Sequence, residues 1–423
     1  MINRLLTKAL LSGYNLSQRG RLFRLSQAVR KKNNSREPIS QMEVNSYLQK
    51  WGYEPDIIKA PSMNKQDIGE HTRKLDADRV YRFFLTGGST GEPLKIPHSK
   101  QRALLRTASI LYYNEIGGYR PGDRFLFIRS KPKSELFQLL RNEILFVPDD
   151  LSRDKIEKTV KTLISKKVRV LIGYPSVIYE MAAYLEKTPE QRNKHSIRSF
   201  ISNSEPFDPE RAEYIRQVLQ CQVIDRYSNE ENGVIAQQRA FGGEYLVDRY
   251  NLFVEVVDPI TLKPVPEGET GKVLVTDIAS DLIPMIRYDT GDFATAAEYR
   301  NGQLWSLKQI VGRVVDRFYT TSGKPFSPLM LGPYIRLPLT NLGLHVQFQF
   351  SQLTTHTYRL QLKTQKTEIP EKNLDEVING LKTVLGNDAR IEVKFVEDIK
   401  ALPSGKRPLY RNEMKNQNQA GRQ

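Results

Sequence analysis

The chain has 423 residues, 39% hydrophobic and 26% charged, enough for a large buried core and more than one domain. Its 64 Lys and Arg outweigh 48 Asp and Glu, and the net charge of +16 favours anionic partners: nucleotides, anionic sugars or a membrane surface. The single cysteine, Cys221, excludes an intramolecular disulfide and a cysteine-based structural zinc site, while the five histidines show no metal-ligand spacing and the absence of RNA-binding aromatic motifs and zinc fingers leaves no expectation of a nucleic acid partner.

Arg4 and Lys8 interrupt the first apolar run, making it a poor secretory signal, and no apolar run reaches the ~20 residues that span a bilayer. Residues 1–32 are basic and partly amphipathic, with Arg19, Arg21, Arg24, Arg30, Lys31 and Lys32. Such a segment usually packs on its own domain with its charges in water. It also suits peripheral contact with an anionic inner membrane surface. Cysteine usage fits a reducing cytoplasm. Residues 33–40 read as a loop, 40–50 as a helix and 51–68 as irregular chain.

From residue 80, strand and helix patterns alternate. Residues 80–85 suit a strand and 98–116 a helix. Between them lies Thr-Gly-Gly-Ser-Thr-Gly-Glu-Pro-Leu-Lys (86–95). Glycines allow close backbone approach and positive φ, successive N–H groups form an anion-binding concavity, and the hydroxyls add donors. Alone, the stretch suits either a phosphate loop or an ordinary tight loop; it lacks the Walker order. Strands are expected at 124–129, 143–147, 168–172, 199–202 and 222–226. Helices are expected at 152–166, from 175 to about 185, and from Asp208-Pro209, with Asp as N-cap and Pro at the first helical position. This alternation argues for a largely parallel sheet covered by helices. After residue 244, strands at 252–257 and 272–276 follow without helices, which suggests an antiparallel subdomain. After Gly312, strands at 345–350, 357–362 and 390–396 surround a helix at 371–385, in a small α+β domain.

The fold class expected is therefore α/β: a large N-terminal domain of mostly parallel sheet covered by helices plus a β subdomain, and a small α+β C-terminal domain. Its boundaries are a basic helical segment packed on the main domain (1–79), the large domain (80–312), the small domain (313–411) and a disordered polar tail (412–423).

Four further stretches carry chemistry. Asp-Arg-Tyr-Ser-Asn-Glu-Glu-Asn-Gly (225–233) follows a strand, where open α/β sheets bind ligands; its aromatic and paired acids suit a base and a magnesium ion, or a solvated polar loop. Ile-Arg-Tyr-Asp-Thr-Gly-Asp (286–292) offers a carboxylate to a vicinal diol, or a turn built from Asp and Gly. Val-Gly-Arg-Val-Val-Asp (311–316) lies at the composition break, where a hinge is expected, and Leu-Pro-Ser-Gly-Lys-Arg (402–407) presents a loop lysine.

In this order and spacing the set resembles the adenylate-forming superfamily of acyl-CoA synthetases and adenylation domains, over residues 80–410. Residues 86–95 are similar to its phosphate loop, and Asn-Ser-Glu-Pro (203–206) resembles the Gly-Ala-Glu-Pro segment of phenylacetate-CoA ligases at its last two positions. Residues 227–231 resemble Tyr-Gly-x-Thr-Glu, and 288–292 match Tyr-x-Thr-Gly-Asp. Gly312-Arg313 begins the Gly-Arg-x-Asp-Asp hinge motif, and Lys406 falls where the late catalytic lysine stands. The nearest resemblance is to the phenylacetate-CoA ligase-like branch that includes capsular-polysaccharide biosynthesis proteins.

The resemblance implies ATP and magnesium as cofactors, a small carboxylic acid as substrate, and a thiol such as coenzyme A, or an amine, as acceptor. It implies that Ser89, Thr90 and Gly91 hold the β- and γ-phosphates, with Thr90 also catalytic. Glu205 and Pro206 line the adenine pocket, and Tyr227 stacks there. Glu231 ligates magnesium and Asp292 binds the ribose. Arg313 steadies ribose or phosphate, and Lys406 contacts the substrate carboxylate and α-phosphate. The small domain would close as a lid. Tyr174 and residues 202–204 are expected in the acid pocket wall.

The chain departs from the pattern at Gly87, Ser228, Glu230 and Val315. Glu230 leaves open which acid holds the metal, and Val315 weakens the expectation of a swinging lid. Two alternatives therefore stand: an adenylyltransferase that stops at AMP transfer, and a catalytically degenerate nucleotide-binding protein at a membrane.

Overall fold

The computed structural model describes residues 20–35, 39–85, 94–129, 135–313, 318–326, 328–340, 347–363, 369–400 and 407–414. The chain divides into two compact units, residues 1–311 and 312–423.

In the first unit the elements run α1 (Arg21–Asn34), α2 (Gln41–Lys50), α3 (Lys65–Arg73), β1 (Arg82–Leu85), β2 (Lys95–His98), α4 (Lys100–Ile116), β3 (Phe125–Ile128), α5 (Glu135–Arg141), β4 (Glu143–Phe146), α6 (Arg153–Ser165), β5 (Val170–Gly173), α7 (Pro175–Glu186), β6 (Ser199–Ser202), α8 (Pro209–Leu219) and β7 (Gln222–Asn229). Strands then follow one another: β8 (Gly233–Gln238), β9 (Tyr245–Val247), β10 (Leu252–Val257), β11 (Thr270–Asp277), β12 (Tyr288–Arg300) and β13 (Gln303–Arg313).

Among the described residues an 11-stranded sheet has the order β10-β11-β12-β13-β9-β8-β7-β6-β5-β3-β4. The strands from β4 to β7 are parallel, and β7 pairs antiparallel with β8. Side chains in the parallel half alternate between two apolar layers, as a strand buried on both faces requires. Leu126, Leu171, Phe200 and Val223 join α6, α7 and α8 in one cluster. Phe125, Val170, Ile172 and Ile201 pack with Tyr119 on the other face. Helix starts are set by polar caps. Ser99, Ser152 and Asp208 accept from the backbone N–H groups of Arg102, Lys155 and Arg211, and Pro209 opens α8.

Two local readings of the sequence need correction. His98, read as the start of a helix, is instead the last residue of strand β2, residues 95–98. They pair antiparallel with β1, so the glycine-rich stretch, of which 86–93 lie outside the described residues, is bracketed by two paired strands. Ser99 caps α4 and prevents an earlier start. Pro97, which has no N–H to donate, is tolerated because both strands of a two-stranded sheet are edge strands. Residues 65–73 form a helix inside and beyond the segment read as irregular. Asn64 and Asp67 make a capping box at its start, but Ile68 is its one buried side chain, so it leaves little apolar periodicity to read.

Helix α1 packs on α4 through Leu22 and Val29, while Arg21, Arg24, Arg30 and Lys31 stay exposed. The described part of the basic segment therefore has the ordinary amphipathic arrangement. No helix among the described residues is long and apolar enough to cross a membrane.

In the second unit, β14 (Phe318–Tyr319) pairs with β15 (Pro325–Phe326). There follow α9 (Gly332–Thr340), β16 (Gln347–Gln352), β17 (Thr357–Lys363), α10 (Glu371–Leu385), β18 (Arg390–Phe395) and β19 (Tyr410–Asn412). The last four strands form a sheet in the order β18-β17-β16-β19. Val377, Leu381 and Leu385, four residues apart on α10, pack on Phe348, Phe350, Leu360 and Leu362. Strand β19 enters the segment expected as a tail, and residues 415–423 lie outside the described residues.

Candidate functional site

Two of the chemically rich stretches meet in the first unit. Residues 225–233 form the end of β7 and its turn into β8, and residues 286–292 lead into β12. Two tyrosine–carboxylate hydrogen bonds join them in opposite directions. The Tyr227 hydroxyl donates to Asp292 Oδ2 at 2.8 Å, and the Tyr288 hydroxyl donates to Glu231 Oε1 at 3.0 Å. Each stretch supplies the tyrosine that orients the other's acid.

Local backbone geometry makes this pairing possible. Lys272 pairs with Phe293 and Leu274 with Asp289, so residues 290–292 of β12 face a single residue of β11 in a bulge. Gly291 sits there at φ 75°, a conformation that favours glycine. Thr290 pins the bulge: its hydroxyl accepts from Asp292 N at 3.1 Å and donates to Val273 O at 3.0 Å. At the β7–β8 turn, Asn229 Oδ1 accepts from Asn232 N at 2.7 Å. Arg102 of α4 donates to Asn232 O at 2.9 Å and, through Nε, to Asp277 Oδ2 at 2.9 Å. The Asn232–Gly233 peptide is thus held by one member of a buried ion pair.

The two adjacent acids face different surroundings. The Glu231 side chain is 5% exposed, and that of Glu230 is 52% exposed. Arg106 of α4 donates to Glu230 O at 2.9 Å and to its Oε2 at 3.1 Å, and its guanidinium lies 4.4 Å from the centre of the Phe84 ring in β1. Glu230 is thereby turned toward α4, while Glu231 faces Tyr288.

The N-terminal segment also reaches this place. Met63 bridges to Tyr288, accepting from Asp289 N at 2.8 Å and donating to Arg287 O at 3.3 Å. Arg287, 1% exposed, donates to Ile58 O at 3.1 Å and Ala60 O at 3.2 Å and pairs with Glu255 at 3.1 Å. Two residues after Met63, Lys65 Nζ stands 3.8 Å from Glu231 Oε1.

Beside these strand ends, Glu205 has a structural task. Its carboxylate accepts from Ser176 N at 3.0 Å and Ser176 Oγ at 2.9 Å. It thus caps α7, whose N-cap residue Tyr174 makes no side-chain cap. Burial, and then Glu205, push the Tyr174 hydroxyl up to about 12. Pro206 is exposed. Asp225 lies two residues before Tyr227, on the same strand face. Burial pushes its carboxyl up to about 6, against a 2.7 Å hydrogen bond from the Tyr245 hydroxyl.

The structure therefore brings Tyr227, Glu231 and Asp292 together and places Glu205 on the cap of α7. Ser89, Thr90, Gly91 and Lys406, and the side chain of Arg313, lie outside the described residues. Three neighbours escaped the sequence reading. The Tyr288 hydroxyl stood in a quoted motif without a role. Arg106 and Lys65 carried no motif, and only their spatial neighbours mark them.

Among the described residues no group of three or more His, Cys, Asp or Glu gathers as a metal site. Glu231 is the buried carboxylate that would hold a divalent cation here. Tyr288 and Lys65 both approach its Oε1, which leaves Oε2 to face a cation. One carboxylate completed by phosphate oxygens and water is how magnesium is commonly held beside a nucleotide, so the donor set fits that ion.

Residues 20–278 match the family described as AMP-binding enzyme. The chain is similar to the phenylacetate-coenzyme A ligase of Pseudomonas putida, 21% identical over 62% of this chain and 62% of that one. It is also similar to that of Escherichia coli K12, 22% identical over 73% and 76%. It thus spans less than two thirds of the Pseudomonas relative. Among solved structures it resembles a 2-hydroxyisobutyryl-CoA ligase in the postadenylation state with an acyl-AMP, at TM-score 0.67 and 17% identity, covering 95% of this chain and 91% of that one. It also resembles ATP-bound MatB from Rhodopseudomonas palustris, at TM-score 0.54 and 20% identity, covering 82% and 69%. These likenesses agree with the α/β fold described above. The chain belongs to the AMP-binding enzyme family of adenylate-forming proteins, in its phenylacetate-CoA ligase-like branch.

Proposed function

We propose that this protein is an AMP-forming ligase that activates a carboxylic acid with ATP and magnesium and passes the acyl group to a thiol, coenzyme A or a carrier, or to an amine. The observation that carries the reading is the reciprocal pairing of Tyr227 with Asp292 and of Tyr288 with Glu231. It brings together the acid assigned in this proposal to the ribose diol and the buried acid assigned to the metal. The solved relatives support the same chemistry: one holds an acyl-AMP, and another state of it holds an acyl-AMP with coenzyme A.

In the first step an oxygen of the substrate carboxylate bonds to the α-phosphorus of ATP, and pyrophosphate leaves. In the second, the acceptor sulfur or nitrogen bonds to the acyl carbon, its proton passes to a base, and AMP leaves. Both partners of the first step are anionic, so charge neutralisation governs the barrier. Bound magnesium supplies part of it by sharing the phosphate charge. In this proposal Glu231 holds the magnesium ion and Asp292 accepts from the ribose hydroxyls. Tyr227 stacks on adenine, beside Glu205 and Pro206. Ser89, Thr90 and Gly91 bind the β- and γ-phosphates, Arg313 binds ribose or phosphate, and Lys406 meets the substrate carboxylate and α-phosphate. The capped end of α7 keeps the Glu205 segment in place.

We place the reaction in surface-polysaccharide or related biosynthesis, in the cytoplasm, with residues 1–32 available for peripheral membrane contact; the sequence resemblance and the basic segment support that setting. The test of function is ATP–pyrophosphate exchange across a broad panel of carboxylic acids. Exchange that depends on one class of acid is expected. ATP binding with no exchange for any acid contradicts the proposal.

A further inference from the structure

Arg129 is a cation that the adenylation chemistry above does not use, and it stands beside the wall expected to face the acid. Phe127 of β3 lies opposite Ile172 of β5, and in the next row a Cβ on Gly173 would stand 2.5 Å from Ile128 Cβ. Arg129 therefore leaves the carboxyl end of β3 next to Tyr174, which leaves the same end of β5. Two residues apart on one strand face, Arg129 and Phe127 are in contact, with the guanidinium carbon 4.1 Å from the ring centre. The rest of this face is apolar, with Phe125, Ile172 and Ile201 buried on it. Burial pushes the guanidinium down, and Glu143, Glu230 and Tyr174 act against that. Its charge is thus felt by the residue before Glu231 and by the expected pocket wall.

The carboxylate beside Arg129 does not use up its donors. Glu143 opens β4 with a side chain 0% exposed, and Arg129 and Arg141 approach its two oxygens at 3.4 and 3.3 Å. Among the described residues neither oxygen takes a hydrogen bond, and Arg129 Nε makes none. Arg141 already balances the buried carboxylate, so neutrality there does not require Arg129. What remains is a guanidinium, 19% exposed, held against a ring with donors unspent. Arginine stays charged in such a place, and its fork matches a carboxylate or a phosphate. An uncharged acyl chain packed against it would leave those donors without acceptors, a cost that an anionic group removes. We propose that Arg129 is a specificity-determining residue, which receives a second anionic group, a carboxylate or a phosphate, carried by the acid that this site activates. The activated carboxylate meets the nucleotide, and the second anion meets Arg129. This inference rests on the proposed function.

The experiment is ATP–pyrophosphate exchange by the full chain with matched acids: monocarboxylic acids, and the same skeletons carrying a second carboxylate or a phosphate. A charge-assisted contact is worth about ten- to a hundredfold in affinity. The parent should favour the acids with a second anion over their matched analogues by that factor in kcat/KM, and the carboxylate and phosphate arms show which anion fits. In Arg129→Met the preference should vanish, chiefly through KM, and Arg129→Lys should restore part of it. A parent with no such preference overturns the inference and leaves the proposed function standing, and that result needs no variant. An Arg129→Met chain that loses activity on both kinds of acid equally, and so keeps the parent's preference, shows a structural role and overturns it too. Exchange with no acid of either kind contradicts the proposed function, and this inference falls with it.

Discussion

The two halves of the large sheet bury different chemistry. Around β3, β5 and β6, Leu126, Leu171 and Phe200 are each 0% exposed in an aliphatic and aromatic cluster under α6, α7 and α8. Across β7 the antiparallel half buries charge: Arg287 at 1% against Glu255 at 5%, and Arg102 and Asp277 at side-chain exposures of 2% each. Apolar burial is non-directional and supplies most of the driving force for folding. Ion pairs out of water contribute little net stability, because desolvation offsets attraction, but they tolerate few geometries. Here they are spent on register. Arg102 fixes the Asn232 carbonyl in the turn after Glu231, and Arg287 fixes segment 58–63 against β12. The parallel half holds the fold up, and the charged half aims the site.

The largest effects should separate these roles. Phe200→Ala is expected to cost about 3–5 kcal/mol of stability in urea melts. Arg102→Met should cost a similar amount, about 3–5 kcal/mol, because Asp277 is left buried and unpaired. The double variant Arg102→Met/Asp277→Leu should return most of that stability, since a buried pair replaced by apolar groups is nearly neutral. It should still bind magnesium–ATP poorly, because Asn232 O has lost its donor. Full recovery of nucleotide binding in the double variant would show that the pair does not position the site.

A second effect, somewhat smaller, concerns pH. Burial raises the Asp225 carboxyl from 3.8 to about 6 in the folded chain. Its stabilising contribution is therefore complete below pH 3.8 and is lost as pH rises through 6. Relative to Asp225→Asn, the parent should lose about 2 kcal/mol between pH 4 and pH 7, read from urea melts at both values. Parallel pH profiles for the two proteins would contradict the burial of this acid.

The smallest effect tests the half-exposed pair. A double-mutant cycle on Arg106→Met and Glu230→Gln should give a coupling of about 1 kcal/mol. No coupling would mean that Glu230 is free to turn toward Glu231.

Much of this arrangement was legible in the sequence where local chemistry decides structure. Asp208-Pro209 announced α8, the apolar runs at 199–202 and 252–257 coincide with β6 and β10, and the helix expected at 371–385 coincides with α10. The motifs around Tyr227 and Tyr288 lie on two stretches that the structure brings into contact. What could not be read depends on neighbours distant in sequence. The crossed tyrosine–carboxylate pairs join residues 57 and 65 positions apart. Helix α3 has too little apolar surface to show a period, and strand β2 is four residues long and contains a proline. The motif around Glu205 implied a pocket residue but not that its carboxylate also caps a helix that brings no side-chain cap of its own.

The central claim is that Glu231, oriented by Tyr288, and not its neighbour Glu230, is the acid through which the site handles magnesium–ATP. The most direct measurement is ATP–pyrophosphate exchange, with an activating acid, in Glu231→Gln and Glu230→Gln. The account predicts a loss of about a hundred- to a thousandfold in the first. The second, whose carboxylate is engaged by Arg106, should stay within about threefold of the parent. The reverse ranking, or equal losses in both, would contradict the account.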